Sequence, residues 1–436
     1  MNKSEVIQAD LTWTGNGFEP EIQLVVDGEG TISEAGRLHQ RVDRRLRNRA
    51  LLPGFVNAHS HAFQRGLRGL GELYPDGRGS FWSWREAMYG LVSELDADAF
   101  FRTTLLAFRE MRAAGFTTVG EFHYLHHGGD SPDYAFDPLV AKAAAHAGIR
   151  LVLLTAFYKT GGPGKPLAES QRRFATPSLE DYWAHFDELA AALDARTQTM
   201  GVVAHSLRAA DPGEVRELYA EASHRGLPFH IHVEEQEQEV ADVEAAYGSR
   251  PLALLNEELP DCERLTAIHC TRSSASDLAR FAERGGAVCL CPLTEANLGD
   301  GLADIPAMRE AGLPLAIGTD CNARISACEE MRWLEYGQRL GTRQRGIVRD
   351  AEGHVATDLL HAATSSGERT LRLKAGRIEV GYAADLVSID LDHPLLGGWR
   401  RESLLESFLF GSGNEAIAET CVAGRWLSHL PDEPTS

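Results

Sequence analysis

The sequence predicts an α/β fold: a closed (β/α)8 barrel of the TIM type, with a small β-sandwich domain built from both termini. Three observations carry this reading. The middle of the chain alternates apolar runs with helical patterns eight times. The runs are almost continuously apolar, as in strands of a parallel sheet covered on both faces. The two ends share a different texture, short alternating runs broken by Gly, Asp and Asn, which reads as small β-structure. The expected domains are 1–50 with 376–436 for the sandwich and 51–375 for the barrel.

Taken in order, Glu5–Thr14 and Ile22–Asp27 read as short strands, followed by a basic segment from Arg41 to Pro53. Leu52–His59 is the first barrel strand, and Leu73–Asp98, with Trp82 and Trp84, is an elaboration after it. Phe100, Phe101, Thr104, Leu105, Phe108 and Met111 recur at three- and four-residue spacing up to Gly115, a helical pattern and stop. Strand Phe116–Phe122 follows. Asp137-Pro138 then opens a helix ending at Gly148, with Asp as N-cap and Pro at the first helical position. The alternation continues through strand Arg150–Phe157, helix Leu179–Leu193, strand Met200–His205, helix Gly213–Arg225 and strand Pro228–Val233. It ends with helix Glu235–Tyr247, strand Leu265–Cys270, helix Ser274–Glu283, strand Ala287–Pro292, a short helix Asp304–Ala311 and strand Pro314–Thr319. The β texture returns in Gly376–Val380, Ala384–Leu391 and Glu419–Leu427.

Composition narrows the function. With 436 residues, 43% hydrophobic and 24% charged, the chain has ample material for a packed core. Sixty-three acidic residues against 43 basic ones leave a net charge of −20. That field repels phosphate backbones and anionic membranes, so no nucleic-acid or membrane partner is expected. A small anionic substrate requires a few arginines that reverse the field locally. No stretch approaches 18 apolar residues, and the N-terminus lacks the basic and apolar regions of a signal peptide. Seven cysteines, an odd number confined to the C-terminal half, point to a reducing, cytoplasmic location. Cys289 and Cys291 read as buried strand residues rather than a metal knuckle or a disulfide.

In such a barrel, reactive side chains gather at the C-terminal ends of the strands. The first strand ends in His59-Ser-His61, the fifth in His230-Ile-His232-Val-Glu-Glu235, the sixth in Ile268-His269-Cys270 and the eighth in Gly318-Thr-Asp320. Any one of these histidines alone could be a hydrogen-bonded core residue, but four runs ending this way where the fold predicts a site weaken that reading. His230 lies deeper along its strand and is left as core. Three imidazoles and a carboxylate with one position open describe a hydrolytic Zn2+ or Fe2+ site. The expected ligands are His59, His61, His232 and Asp320. A divalent ion there lowers the pKa of water towards 7 and makes hydroxide available at neutral pH. A second metal would want a bridging carboxylate or a carbamylated lysine. The fourth strand has no lysine, and Glu121 is the one spare carboxylate, so one metal is expected.

Together, His59-Ser-His61, the His230–Glu235 run, Ile268-His-Cys270, Gly318-Thr-Asp320 and the return segment Gly376–Val387 resemble the amidohydrolase superfamily, in its branch of mononuclear deaminases. Narrower features are His59-Ser-His-Ala-Phe-Gln64-Arg, Phe81-Trp-Ser-Trp-Arg85, Glu121-Phe-His-Tyr124-Leu-His-His, His205-Ser-Leu-Arg208-Ala and Gly318-Thr-Asp320-Cys-Asn. These are similar to the members that release ammonia from N-formimino-L-glutamate in histidine degradation. The resemblance implies that Gln64, Tyr124, His205 and Arg208 bind substrate, and that Arg85 reaches a substrate carboxylate across a homodimer interface. It also implies hydrolysis of a C=N–H group. Asp320 or His269 would accept the proton of water, Glu235 would carry a proton to the departing nitrogen, and His269 would stabilise developing charge. Arg208 suits a dianionic substrate, because a guanidinium binds a carboxylate in a fork. On sequence alone, Arg85 and Arg208 could still be surface arginines, and Gln64 and Tyr124 packing residues. The alternatives are a related deaminase acting on a guanine-like heterocycle or another N-formimino amino acid, and a metal-free scaffold that keeps the barrel. A nucleic-acid-editing deaminase fits poorly, for its signature is absent.

Overall fold

The computed structural model describes residues 4–74 and 79–428. Eight parallel strands form one sheet in sequence order: Phe55–Ser60, Phe116–His123, Arg150–Phe157, Gln198–Ser206, Phe229–Val233, Leu265–His269, Ala287–Leu290 and Leu315–Ile317. The apolar runs that define these strands in the sequence are buried almost without interruption. The first strand meets the eighth through a parallel bridge between Ser60 and Asp320, with Thr319 N–H donating to the His59 carbonyl at 2.9 Å. Gly318 permits this closure. A Cβ there would lie 2.7 Å from His59 Cβ and from the His59 carbonyl oxygen.

The closure is stitched by three side chains. Asn57 Nδ2 donates to Thr319 Oγ1 at 2.7 Å and Asn57 Oδ1 accepts from Thr319 N–H at 3.0 Å. The Thr319 hydroxyl donates to Asn322 Oδ1 at 2.7 Å. Asn322 Nδ2 then donates to the carbonyls of His61 and Asp320 at 3.0 and 2.9 Å. All three are buried, so each amide and hydroxyl needs these partners.

Both termini build a second sheet of eight strands. Its order is Arg425–Ser428, Ile417–Val422, Leu386–Asp390, Arg44–Pro53, Glu5–Trp13, Gln23–Val26 and Ile32–Gly36, with Phe18–Glu19 pairing on Glu5–Trp13. The edge strand Ile32–Gly36 comes back to the C-terminal half through the Thr31–Ala383 bridge and the Gly381 N–H on the Ile32 carbonyl. The sheet thus wraps a core of its own that includes Ile7, Leu24, Ile32, Leu51, Leu386 and Cys421. The basic segment proves to be a central strand. Arg44, Arg45 and Arg49 pair with Glu419, Asp10 and Asp390, while Ala50–Pro53 are buried.

Four local expectations are corrected. Gly376–Val380 is not a strand, and Glu419–Leu427 is a hairpin, Ile417–Val422 and Arg425–Ser428, turning at Ala423-Gly424, both at positive φ. Cys291 follows its strand as the N-cap of helix Pro292–Leu298, though all seven cysteines are buried and free. Asp137 is not an N-cap. Phe136 holds that position, and the Asp137 carboxylate is taken up by histidines. The elaboration after the first strand contains helix Phe81–Glu94, begun by a reciprocal cap between Ser80 and Ser83. Among the described residues no helix is long and apolar enough to cross a membrane.

The two sheets are joined by an ion pair. Arg150, at the start of the third barrel strand, donates from Nε and Nη2 to the two oxygens of Asp385 at 2.7 and 3.1 Å. Asp385 is fully buried and also accepts the Ala423 N–H at 2.7 Å. Arg150→Leu leaves that carboxylate without its cation and should lower stability by about 3–5 kcal/mol. Denaturant unfolding measures this, and a loss below about 1 kcal/mol would show that the pair does not join the two sheets.

Candidate active site

The C-terminal ends of the strands bring His59, His61, His232, His269 and Asp320 to one place. His232 Nε2 lies 3.3 Å from His59 Nε2 and 3.3 Å from His61 Nε2. Asp320 Oδ1 is 3.5 Å from His59 Nε2 and 3.4 Å from His61 Nε2, and its Oδ2 is 3.6 Å from His269 Nε2. The far nitrogens of His61 and His232 are engaged behind, while His59 Nδ1 is buried without a partner. His61 Nδ1 donates to the Phe122 carbonyl at 2.7 Å and His232 Nδ1 to the His205 carbonyl at 2.9 Å. With its proton on Nδ1, each ring turns a lone pair inward, an arrangement that orients metal-binding histidines.

Electrostatics agree. Burial, with the neighbouring imidazoles, pushes His59 and His232 well below their ordinary pKa and takes His61 to about 3. Two neutral rings whose lone pairs meet at 3.3 Å share no proton, so a cation satisfies what hydrogen bonds between them do not. The grouped donor atoms of His59, His61 and His232, and of His59, His269 and Asp320, can hold a metal ion.

His269 differs from the other three. Burial works against its charged form, yet Glu235, Glu295 and Asp320 around it raise it well above the ordinary value. Its Nδ1 lies 3.3 Å from Glu295 Oε1 and its Nε2 4.0 Å from Glu235 Oε1. Glu235 is pushed up to about 7 by burial and by the Asp320 charge, against the pull of His269 and Arg208. The backbone is bent to present these groups: Glu234, His269 and Asp320 have φ of 53°, 75° and 44°, a region costly for non-glycine residues and concentrated at functional sites. The turn at Glu234 sends its own carboxylate to the Leu252 N–H, 3.1 Å away, and Glu235 into the pocket.

Every expected substrate residue lines the same cavity: Gln64, Arg85, Tyr124, His205 and Arg208, beside His61, His232, Glu235, His269 and Asp320. Gln64 Nε2 donates to the Tyr124 hydroxyl at 2.7 Å, leaving Gln64 Oε1 buried without a partner. Arg208 is 15% exposed, with its nearest carboxylate, Glu239, at 4.0 Å. Arg85 comes from helix Phe81–Glu94 and stacks on Trp82, 4.3 Å from the ring centre. It thus enters the pocket of its own chain. The Nε atoms of Arg85 and Arg208 are both buried without an acceptor. Glu121, the one spare carboxylate for a bridge, faces away. Phe122 packs on the rings of His59, His61 and His232, so its neighbour Glu121 points to the opposite side of the strand, where it accepts the Ala62 N–H. His230 is core, with Nε2 3.0 Å from the Thr370 carbonyl.

Sequence reasoning missed Glu295, Glu239 and the aromatic wall of Phe81, Trp84, Tyr89, Tyr158 and Phe174. Glu295 lies in the first turn of a helix that starts at Pro292. A proline followed closely by an acidic residue is a start signal that would have put Glu295 at the barrel mouth. The aromatic wall had no such signal, because it comes from three separate segments.

Comparison with known proteins agrees with this site. The model of the amidohydrolase family matches residues 50–427. Formimidoylglutamate deiminase of Pseudomonas aeruginosa is 38% identical over 429 residues, 97% of this chain and 94% of that protein. The crystal structure of an amidohydrolase from Brucella melitensis superposes with a TM-score of 0.89 at 32% identity, covering 98% of this chain and 96% of that one. An adenosine deaminase from Xanthomonas campestris, solved with bound zinc, gives 0.81 at 26% identity, over 99% and 94%. With both sheets, the strand-end cluster and a family match across most of its length, this chain belongs to the amidohydrolase family and is a hydrolase.

Proposed function

We propose that the chain hydrolyses N-formimino-L-glutamate to N-formyl-L-glutamate and ammonia. The observation that carries this is the pair of half-buried arginines, Arg85 and Arg208, each with its Nε buried and without an acceptor, in the same cavity as the His–Asp cluster. A chain of net charge −20 has little reason to draw two such cations part-way out of water into one cavity unless an anion completes them. A substrate with two carboxylates does so. The likeness to the Pseudomonas deiminase supports the same substrate. An aromatic heterocycle would leave both guanidinium groups unanswered.

His59, His61, His232 and Asp320 would hold one divalent cation, zinc by analogy with the zinc-bound neighbour. When bound, it supplies Lewis acidity that lowers the pKa of water. The chain's own residues handle the protons. Water oxygen bonds to the formimino carbon, Asp320 takes the proton it sheds, and the protonated His269 beside it stabilises the developing charge. Glu235, poised near neutrality, delivers protons to the terminal nitrogen. The C–N bond then breaks, and both protons of the water leave in ammonia. Arg85 and Arg208 hold the carboxylates while Gln64, Tyr124 and His205 line the path between them and the reacting carbon. The family resemblance further supports a homodimer in the cytoplasm, which sedimentation of the purified protein tests.

Ammonia release from N-formimino-L-glutamate, beside guanine and N-formimino-L-aspartate, tests the reading. Turnover of the first substrate well above the other two is expected, and preference for guanine rejects it. Glu235→Gln should keep metal and fold but lower kcat by about 10²–10⁴-fold; near-wild-type turnover removes Glu235 from the chemistry. Arg208→Met should raise KM by about 10-fold or more with little change in unfolding midpoint. Chelation should abolish activity and zinc or ferrous iron restore it, whereas full activity in metal-free protein excludes the metal.

A further inference from the structure

The end of the second barrel strand carries histidines that the reaction above does not use. Asp137, fully buried on helix Asp137–Ala147, faces three of the protein's imidazoles. Its Oδ1 lies 2.9 Å from His123 Nε2 and 3.0 Å from His126 Nδ1. Its Oδ2 lies 3.1 Å from His126 Nδ1 and 2.9 Å from His185 Nε2, on helix Leu179–Ala192. His123, His126 and Asp137 are near enough to one another to hold a cation. The contacts nevertheless differ in kind from those of the first cluster. There, imidazole nitrogens face each other. Here, each of these contacts joins a nitrogen to a carboxylate oxygen, which a proton satisfies.

His126 decides the matter. Its Nε2 lies 2.8 Å from the Ala156 carbonyl, opposite the Asp137 carboxylate on Nδ1. Both partners only accept, so both ring nitrogens carry hydrogen and the ring is an imidazolium. Burial opposes that charge, but the Asp137 carboxylate outweighs it and raises His126 above its ordinary pKa. Burial equally opposes the charge on Asp137, and His126 and His123 hold it well below the carboxylate range.

This buried pair sits directly behind the pocket. Phe122 packs on the rings of His59, His61 and His232, Tyr124 lines the cavity, and His123, between them, faces Asp137. The Phe122 carbonyl orients His61, and the Tyr124 hydroxyl oxygen accepts a hydrogen bond from Gln64 Nε2. The His126 carbonyl accepts the Phe136 N–H at 3.0 Å. The His127 carbonyl accepts from Arg173 Nε at 2.8 Å, and Arg173 also donates to the carbonyls of Val92 and Leu95, at and just beyond the end of the helix that carries Arg85. We propose that the Asp137–His126 ion pair, with His123 and His185, is the positioning device of the substrate pocket, holding Tyr124 and the Arg85 helix in register without touching substrate. The proposal rests on the functional reading above for the identity of that substrate.

The test is Asp137→Asn, which keeps the shape but cannot accept three imidazole donors. The variant should keep the wild-type metal content and a kcat within about threefold, while KM for N-formimino-L-glutamate rises about tenfold or more. In 15N-histidine-labelled wild type at neutral pH, His126 should show both ring nitrogens protonated, and the variant should lose that signature. An unchanged KM, a neutral His126 in wild type, or a second equivalent of metal that vanishes with Asp137 would each overturn the proposal. Should Asp137→Asn not fold, His185→Leu removes one donor at the part-exposed edge. A KM raised several-fold then supports the proposal and an unchanged one rejects it. Absence of turnover in the wild type rejects the substrate reading alone, and the ring-nitrogen signature still decides the ion pair.

Discussion

Three crowded imidazoles, two of them, His61 and His232, with their hydrogen committed to a backbone carbonyl on the far side and their lone pairs facing at 3.3 Å, are the constraint around which the molecule is organised. Such a cluster is unfavourable by itself. Burial removes the water that would solvate the lone pairs, and the neighbouring rings suppress protonation. The barrel can hold it because each ring is pinned from behind by a backbone carbonyl or a packed neighbour. A polypeptide that keeps an arrangement of this kind gains by it only when a cation occupies the centre.

The rest of the structure is arranged to keep that centre in place. The Asn57–Thr319–Asn322 stitch joins the first strand to the eighth just beneath His59, His61 and Asp320, so barrel closure and site assembly are one event. Among the described residues, the terminal sheet contributes no group to the cavity. It bears on the opposite end through Asp385 and Arg150, far along the strand from the reactive side chains. Charge is distributed in the same spirit. The chain is strongly acidic, yet the pocket concentrates two arginines, and their cationic influence lowers His205 beyond what its burial does. The field that reaches an incoming anion is therefore local rather than global.

Much of this was legible from residue order. Apolar runs of strand length separated by helical periodicity specify a parallel closed sheet, because side chains buried on both faces leave no polar alternation. The last residues of those runs then fall at the barrel mouth, which is how His59, His61, His232, His269 and Asp320 could be named together. The basic segment ending at Pro53 was harder. Its arginines hide a strand because their charges are cancelled by partners up to 375 residues away, and no local pattern reports such pairing. Asp137 misled for a related reason: Asp-Pro reads as a cap, but three distant imidazoles compete for the carboxylate and win.

The sequence alone therefore determined the architecture, the strand-end ligand types and the presence of arginines able to answer an anion, since these follow from periodicity and residue chemistry within short windows. Only the tertiary structure decided that Arg85 enters the cavity of its own chain, that Glu295 backs His269, that Glu121 turns away, and that a buried imidazolium stands behind Tyr124. Each of those depends on which segments meet through space, and on the low dielectric of the interior, where one uncompensated charge or lone pair must find its partner regardless of distance along the chain.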